Sequence, residues 1–127
     1  MPPSQGRISS RFGLRLDPLD GKIRKHSGID IAVPENTPVQ SAAEGKVVFS
    51  GFSNGYGNCI VVDHGNGLTT LYGHNSRNLV SVGDSIKSGT AIALSGSTGR
   101  TTGPHIHFEV RMDGVAVDPS EVLGAIG

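Results

Sequence analysis

From His105 to Val110 the side chains alternate strictly: His105, His107 and Glu109 can ionise, while Ile106, Phe108 and Val110 are apolar. A strand turns successive side chains to opposite faces. The stretch therefore predicts a strand with one face on a hydrophobic core and two imidazoles and a carboxylate on the other. Two histidines on one face can share a metal, or one can bind metal while the other handles protons. The rest of the chain must supply the sheet beneath this strand and the partners of its polar face.

Ile8, Ser10 and Phe12 alternate with polar neighbours and predict a first strand over residues 7–12. Residues 13–28 lack periodicity, contain Asp17-Pro18 and Asp20-Gly21, and read as a long, partly basic loop delivering His26. Short strands are expected at Ile29–Val33, from Val39, over Lys46–Phe49 and over residues 59–63. Asn66-Gly67 predicts a two-residue hairpin into Leu68–Tyr72, with Thr70, Tyr72 and His74 on one face. Residues 75–90 read as polar connections, Ala91–Leu94 as a strand, 95–104 as a flexible loop and Val115–Val117 as a last strand. Asp118-Pro119-Ser120-Glu121 combines a capping residue, a first-turn proline and a glutamate, and predicts one short C-terminal helix. Eight to ten short strands, with nineteen glycines at about double the usual share, define one all-β domain over residues 1–127, sandwich or barrel-like.

Eleven basic and eleven acidic residues balance, so nothing favours nucleic acid or an acidic membrane surface. One cysteine allows neither a disulfide framework nor a cysteine zinc knuckle. Cys59, in Cys59-Ile60-Val61-Val62, reads as a small core hydrophobe. No apolar run reaches the length of a membrane span and no signal peptide is visible, which suits a cytoplasmic protein or a domain of a longer one. The loop 95–104 lacks the Gly-Lys-Ser/Thr ending of a phosphate loop. Gly51-Phe52-Ser53-Asn54-Gly55 spells a nucleophile elbow, but a strand is expected after it where that motif needs a helix.

Catalytic zinc takes about three nitrogen or oxygen ligands and keeps one position open. His26, Asp30 and one histidine of the 105/107 pair would supply them. Either pair alone, His-x-x-x-Asp or His-x-His, is a weak signal. Glu109 reads as a solvated rim carboxylate, the alternative being an acceptor that orients an imidazole. His64 reads as a hairpin histidine beside its turn. Tyr72 could touch substrate or pack in the sheet, and the hydroxyls of Thr101 and Thr102 could line a path for an extended peptide.

The ordered set His26-Ser-Gly-Ile-Asp30, Tyr72-Gly-His74 and Gly96-Ser-Thr-Gly-Arg-Thr-Thr-Gly-Pro-His105-Ile-His107-Phe-Glu-Val resembles the lysostaphin-type zinc endopeptidases. Pro38-Val39, Glu44-Gly45-Lys46-Val47, Tyr56-Gly57-Asn58 and Val82-Gly83-Asp84 extend the likeness over about Gly6 to Leu123. The resemblance implies an antiparallel β-sheet groove or sandwich of the duplicated hybrid-motif type, with one zinc ion on its floor. It implies His26, Asp30 and His107 as zinc ligands. His74 and His105 become the two non-ligand histidines, one moving the proton and the other stabilising the oxyanion, in either assignment. The implied substrate is the peptide cross-link of bacterial peptidoglycan. Phe12-Gly-Leu-Arg15, Asp17-Pro-Leu-Asp-Gly21 and Arg24-Lys-His26 resemble the Gram-negative branch, which mostly cuts D-alanyl–diaminopimelate bonds. Some members place a tyrosine before the first zinc histidine; this chain has tyrosines only at 56 and 72. Such a substrate implies a location in the periplasm or cell envelope and peptidoglycan peptides as partners, and leaves room for a regulatory protein.

Two other functions are compatible with parts of the pattern. Relatives that lack ligands act as wall-binding or amidase-activating modules, although all five positions are intact here. Val39…Gly45-Lys46-Val47 and Val82-Gly83-Asp84…Gly89 also resemble carrier domains, which need an exposed hairpin lysine or a phosphorylatable histidine.

Overall fold

A computed structural model describes residues 3, 27–99 and 103–119, together with the backbone of residues 7–10, 13–16 and 23–26. Its strands are β1 (Arg7–Ser10), β2 (Gly13–Leu16), β3 (Ile23–His26), β4 (Ile29–Ala32), β5 (Pro38–Gln40) and β6 (Gly45–Ser53). They continue with β7 (Gly57–Gly65), β8 (Leu68–Asn78), β9 (Ser85–Ile86), β10 (Ala91–Ser95), β11 (His105–Met112) and β12 (Val115–Val117). Ten of them form one sheet, with the path β1-β4-β11-β8-β7-β6-β9. β10 joins β8 to β5, and β12 flanks the far end of β11. Every pairing in the sheet is antiparallel. The all-β expectation is met; the predicted C-terminal helix is described only at its start, where Pro119 is helical, and its remainder lies outside the described residues.

Two expectations are corrected. Within the expected loop of 13–28, β2 and β3 pair antiparallel, with Gly13 opposite His26 and Leu16 opposite Ile23. β2 and β3 pair only with each other, and hydrophobic periodicity tracks packing on a sheet face rather than pairing itself. The polar segment after Gly73 continues as strand to Asn78, because β10 and β7 supply its backbone partners.

β11 lies between β4 and β8, and both neighbours repeat its alternation. Ile106 faces Ile31, and Phe108 faces Ile29 on one side and Tyr72 on the other. These side chains are buried with Val39, Ile60, Val62, Ile92 and Val110 in one core. Burying each large apolar side chain is worth about 1.5–3 kcal/mol, so the register of β11 is held by its whole apolar face. A slip of one residue would exchange that face for two histidines and a glutamate.

Candidate active site

Directly paired residues share a face, so register builds the site. His107 is the cross-strand partner of Asp30 on β4 and of Gly73 on β8. Its Nδ1 lies 3.0 Å from Asp30 Oδ1. His105 Nε2 approaches the same oxygen at 3.5 Å. The His74 ring stands 4.7 Å from that of His105 and 5.9 Å from that of His107, centroid to centroid. Three histidines and one aspartate therefore meet on one face of three adjacent strands.

His74 reaches this face by a break in alternation. Tyr72 is opposite Phe108 and belongs to the core, so uninterrupted alternation would send His74 there too. Instead His74 adopts φ 64°, and the β7–β8 register shifts between the Asn58–Asn75 and Ile60–Tyr72 pairs. The bulge turns the imidazole to the opposite side. Tyr72 is thereby corrected as a substrate contact: it is fully buried, accepts from the Ala42 amide at 2.9 Å and packs on Phe108. Thr101 and Thr102 lie outside the described residues, as does the side chain of His26. The His26 backbone closes β3, four residues before Asp30.

His74 and His105 each have one ring nitrogen fixed by the backbone. His74 Nδ1–H donates to Thr98 O at 2.7 Å, and His105 Nδ1–H donates to Gly103 O at 2.9 Å. A carbonyl can only accept, so each ring in its neutral form carries its lone pair on Nε2. Burial pulls the His74 imidazole down to about 4, against the Thr98 hydrogen bond and helped by the neighbouring His105 and His107, so it is neutral near pH 7. Thr98 also accepts from the Asn58 amide with its hydroxyl and donates that hydroxyl to Asn75 O, next to His74 in the chain. His64 stands apart, bonded to Glu44 O and the Thr70 hydroxyl.

Glu109 is the main correction among the polar residues. It is fully buried, not a rim carboxylate. Its Oε2 accepts from Ser27 Oγ and Tyr56 OH, each at 2.6 Å, and from His107 Nε2 at 2.8 Å. Its Oε1 accepts from Arg111 Nε at 2.9 Å and Nη2 at 2.7 Å. Burial alone would raise this carboxyl, but the His107 contact and the Ser27 and Tyr56 hydroxyls bring it down to about 2. For His107, burial opposes a charge, yet the Asp30 and Glu109 carboxylates outweigh it and push the metal-free imidazole up to about 9. Alternation could have added Arg111 to this face, two residues beyond Glu109. Ser27 and Tyr56 gave no local signal, since each arrives from a different connection.

These atoms suit a metal. Asp30 and His107 offer a carboxylate oxygen and an imidazole nitrogen converging on one point, the nitrogen and oxygen donor set zinc takes. Among the described residues no three such groups close to coordinating geometry. The third expected ligand, His26, has its side chain outside them.

An all-β sheet with imidazoles and a carboxylate gathered on one face is the arrangement found in a class of peptidases, and the family match places this chain in that class. More narrowly, the chain belongs to peptidase family M23, which matches residues 24–119. DD-carboxypeptidase/endopeptidase Mpg of Neisseria meningitidis serogroup B is 46% identical over 116 residues, 91% of this chain and 27% of the relative. The murein hydrolase activator EnvC of Escherichia coli is 40% identical over 122 residues, 96% of this chain and 28% of that protein. The chain thus spans about a quarter of the length of these relatives. Among solved structures, a zinc-containing peptidase from Vibrio cholerae superposes with a TM-score of 0.85 at 39% identity, over 92% of this chain and 37% of the other. The catalytic domain of lysostaphin from Staphylococcus simulans superposes with a TM-score of 0.85 at 34% identity, over 94% of this chain and 92% of that domain. Membership of a peptidase family displaces the carrier reading.

Proposed function

We propose that this domain is a zinc-dependent endopeptidase of bacterial peptidoglycan, cutting D-alanyl–diaminopimelate cross-links outside the cytoplasm. The observation that carries this reading is the convergence of Asp30, His74, His105 and His107 on one sheet face, with Asp30 and His107 in direct register. His26, Asp30 and His107 would hold the ion. Zinc there supplies Lewis acidity toward a carbonyl oxygen and lowers the pKa of water toward neutrality.

The remaining work belongs to the chain. His74 and His105 each keep Nδ1–H on a backbone carbonyl and use Nε2 toward substrate. One takes the proton of the attacking water and returns it to the leaving amine. The other donates to the tetrahedral oxyanion as an imidazolium, whose Nε2 also carries a proton. Thr98 and Gly103, whose carbonyls hold these rings, would flank the substrate path.

The test joins metal content to product identity. Elemental analysis should find close to one zinc per chain, and digestion of cross-linked sacculi should release peptides whose masses show cleavage at D-alanyl–diaminopimelate. Asp30→Ala and His107→Ala should lose both metal and cleavage. Zinc without cleavage of this wall or of glycine-bridged wall would overturn the endopeptidase reading. It would favour the activator reading, which the likeness to EnvC supports.

A further inference from the structure

The Glu109 carboxylate is bonded far beyond what burial of one charge requires. Arg111, with two N–H groups on Oε1, already supplies one compensating cation. Yet three more donors from three separate segments crowd onto Oε2: Ser27 between β3 and β4, Tyr56 before β7, and His107 on β11. Ser27 directly follows His26 and stands three residues before Asp30. The next residue, Gly28, lies so close over β11 that a Cβ there would collide with Phe108 O and approach Glu109 Cγ at 2.9 Å. Tyr56 in turn accepts the His74 amide on its carbonyl oxygen at 2.7 Å and lays its ring 5.5 Å from that of His107.

We propose that Glu109 is a positioning residue that clamps the His26–Asp30 segment to β11 and commits the His107 ring to present Nδ1 toward Asp30. The inference rests on the reading of His26, Asp30 and His107 as zinc ligands. With Nε2–H donated to Glu109, only Nδ1 can offer a lone pair to a metal. Through Ser27 the same carboxylate oxygen holds the turn that carries the other two ligands. Arg111 occupies Oε1 and donates a further bond to Tyr56 OH at 3.2 Å, so the carboxylate plane cannot rotate away.

The experiment measures metal rather than turnover alone. Zinc affinity is determined by competition with a chromophoric chelator, and the cobalt(II)-substituted protein is examined by visible absorption. Glu109→Gln should raise the zinc dissociation constant about 10- to 100-fold and shift the cobalt bands. Tyr56→Phe and Ser27→Ala, each removing one donor from Oε2, should raise it about two- to fivefold. A Glu109→Gln protein with reduced thermal stability but a dissociation constant within about twofold of wild type and an unchanged cobalt spectrum would overturn the proposal, leaving Glu109 a structural charge. Should Glu109→Gln fail to fold, the Ser27→Ala, Tyr56→Phe double variant decides: about tenfold weaker zinc supports the clamp, and unchanged zinc overturns it. Wild-type protein that binds neither zinc nor cobalt, or that binds them equally after Asp30→Ala and His107→Ala, overturns the ligand reading itself, and this inference with it.

Discussion

His74 holds a left-handed backbone, φ 64°, which costs a residue bearing a Cβ about 1–2 kcal/mol. The strain accompanies the bulge that takes the imidazole out of the core side of β8 and sets it beside His105. Glycine tolerates this conformation, so His74→Gly should be about 1 kcal/mol more stable than His74→Ala in denaturant titration. Both variants should retain zinc while kcat falls about 10²- to 10⁴-fold. Equal stability of the two would show that the left-handed turn is not kept without the histidine. The motif pointed to His74 as a companion of His105 and His107, and the rings do lie together; its route there was not legible. Counting by twos joins it to Tyr72, and nothing at 72–74 announces a bulge that depends on how β7 meets β8. Glu109 was misread for a related reason: the residues that bury it sit at 27, 56 and 111, and only the last shares its strand.

β11 was legible because its alternation spans six residues and both neighbouring strands carry matching apolar partners. The β2–β3 pairing was not, since its residues have no such period. Between these cases lies the corner of Ser27 and Gly28, where β4 begins. Gly28→Ala would drive a methyl group into the Phe108 carbonyl, so the corner must lift from β11. We expect a loss of about 2 kcal/mol or more in denaturant unfolding, together with weakened zinc binding, because Asp30 starts only two residues later. A Gly28→Ala protein with wild-type stability and metal affinity would show that the corner can move without consequence. Phe108→Ala, opening the core beneath the same corner, should cost about 3–5 kcal/mol.

For the whole molecule, the proposed zinc site would link metal and fold by mass action. At free zinc about 100 times its dissociation constant, binding to the native state adds about 2.7 kcal/mol. For a domain of this size that corresponds to a fall in Tm of roughly 10 °C on chelation, and calorimetry with and without chelator measures it. A Tm insensitive to chelation in protein shown to contain zinc would place the ion away from the ligands proposed here.

The path β4-β11-β8 also sets where the chain can accept new sequence. A one-residue slip of β11 against Asp30 and Gly73 would turn His107 toward the interior and leave the composition almost untouched. The far ends of the same strands obey a different rule. Leu68 pairs with Met112 five positions along from the Gly73–His107 pair, about 17 Å away at the rise of an extended strand. The hairpin turns Asn66-Gly67 and Asp113-Gly114 gather at that end, joined by a bond from the Asp113 amide to Gly67 O. Grafted segments belong at that pole, where a passenger can be carried without disturbing the reading frame of the strands.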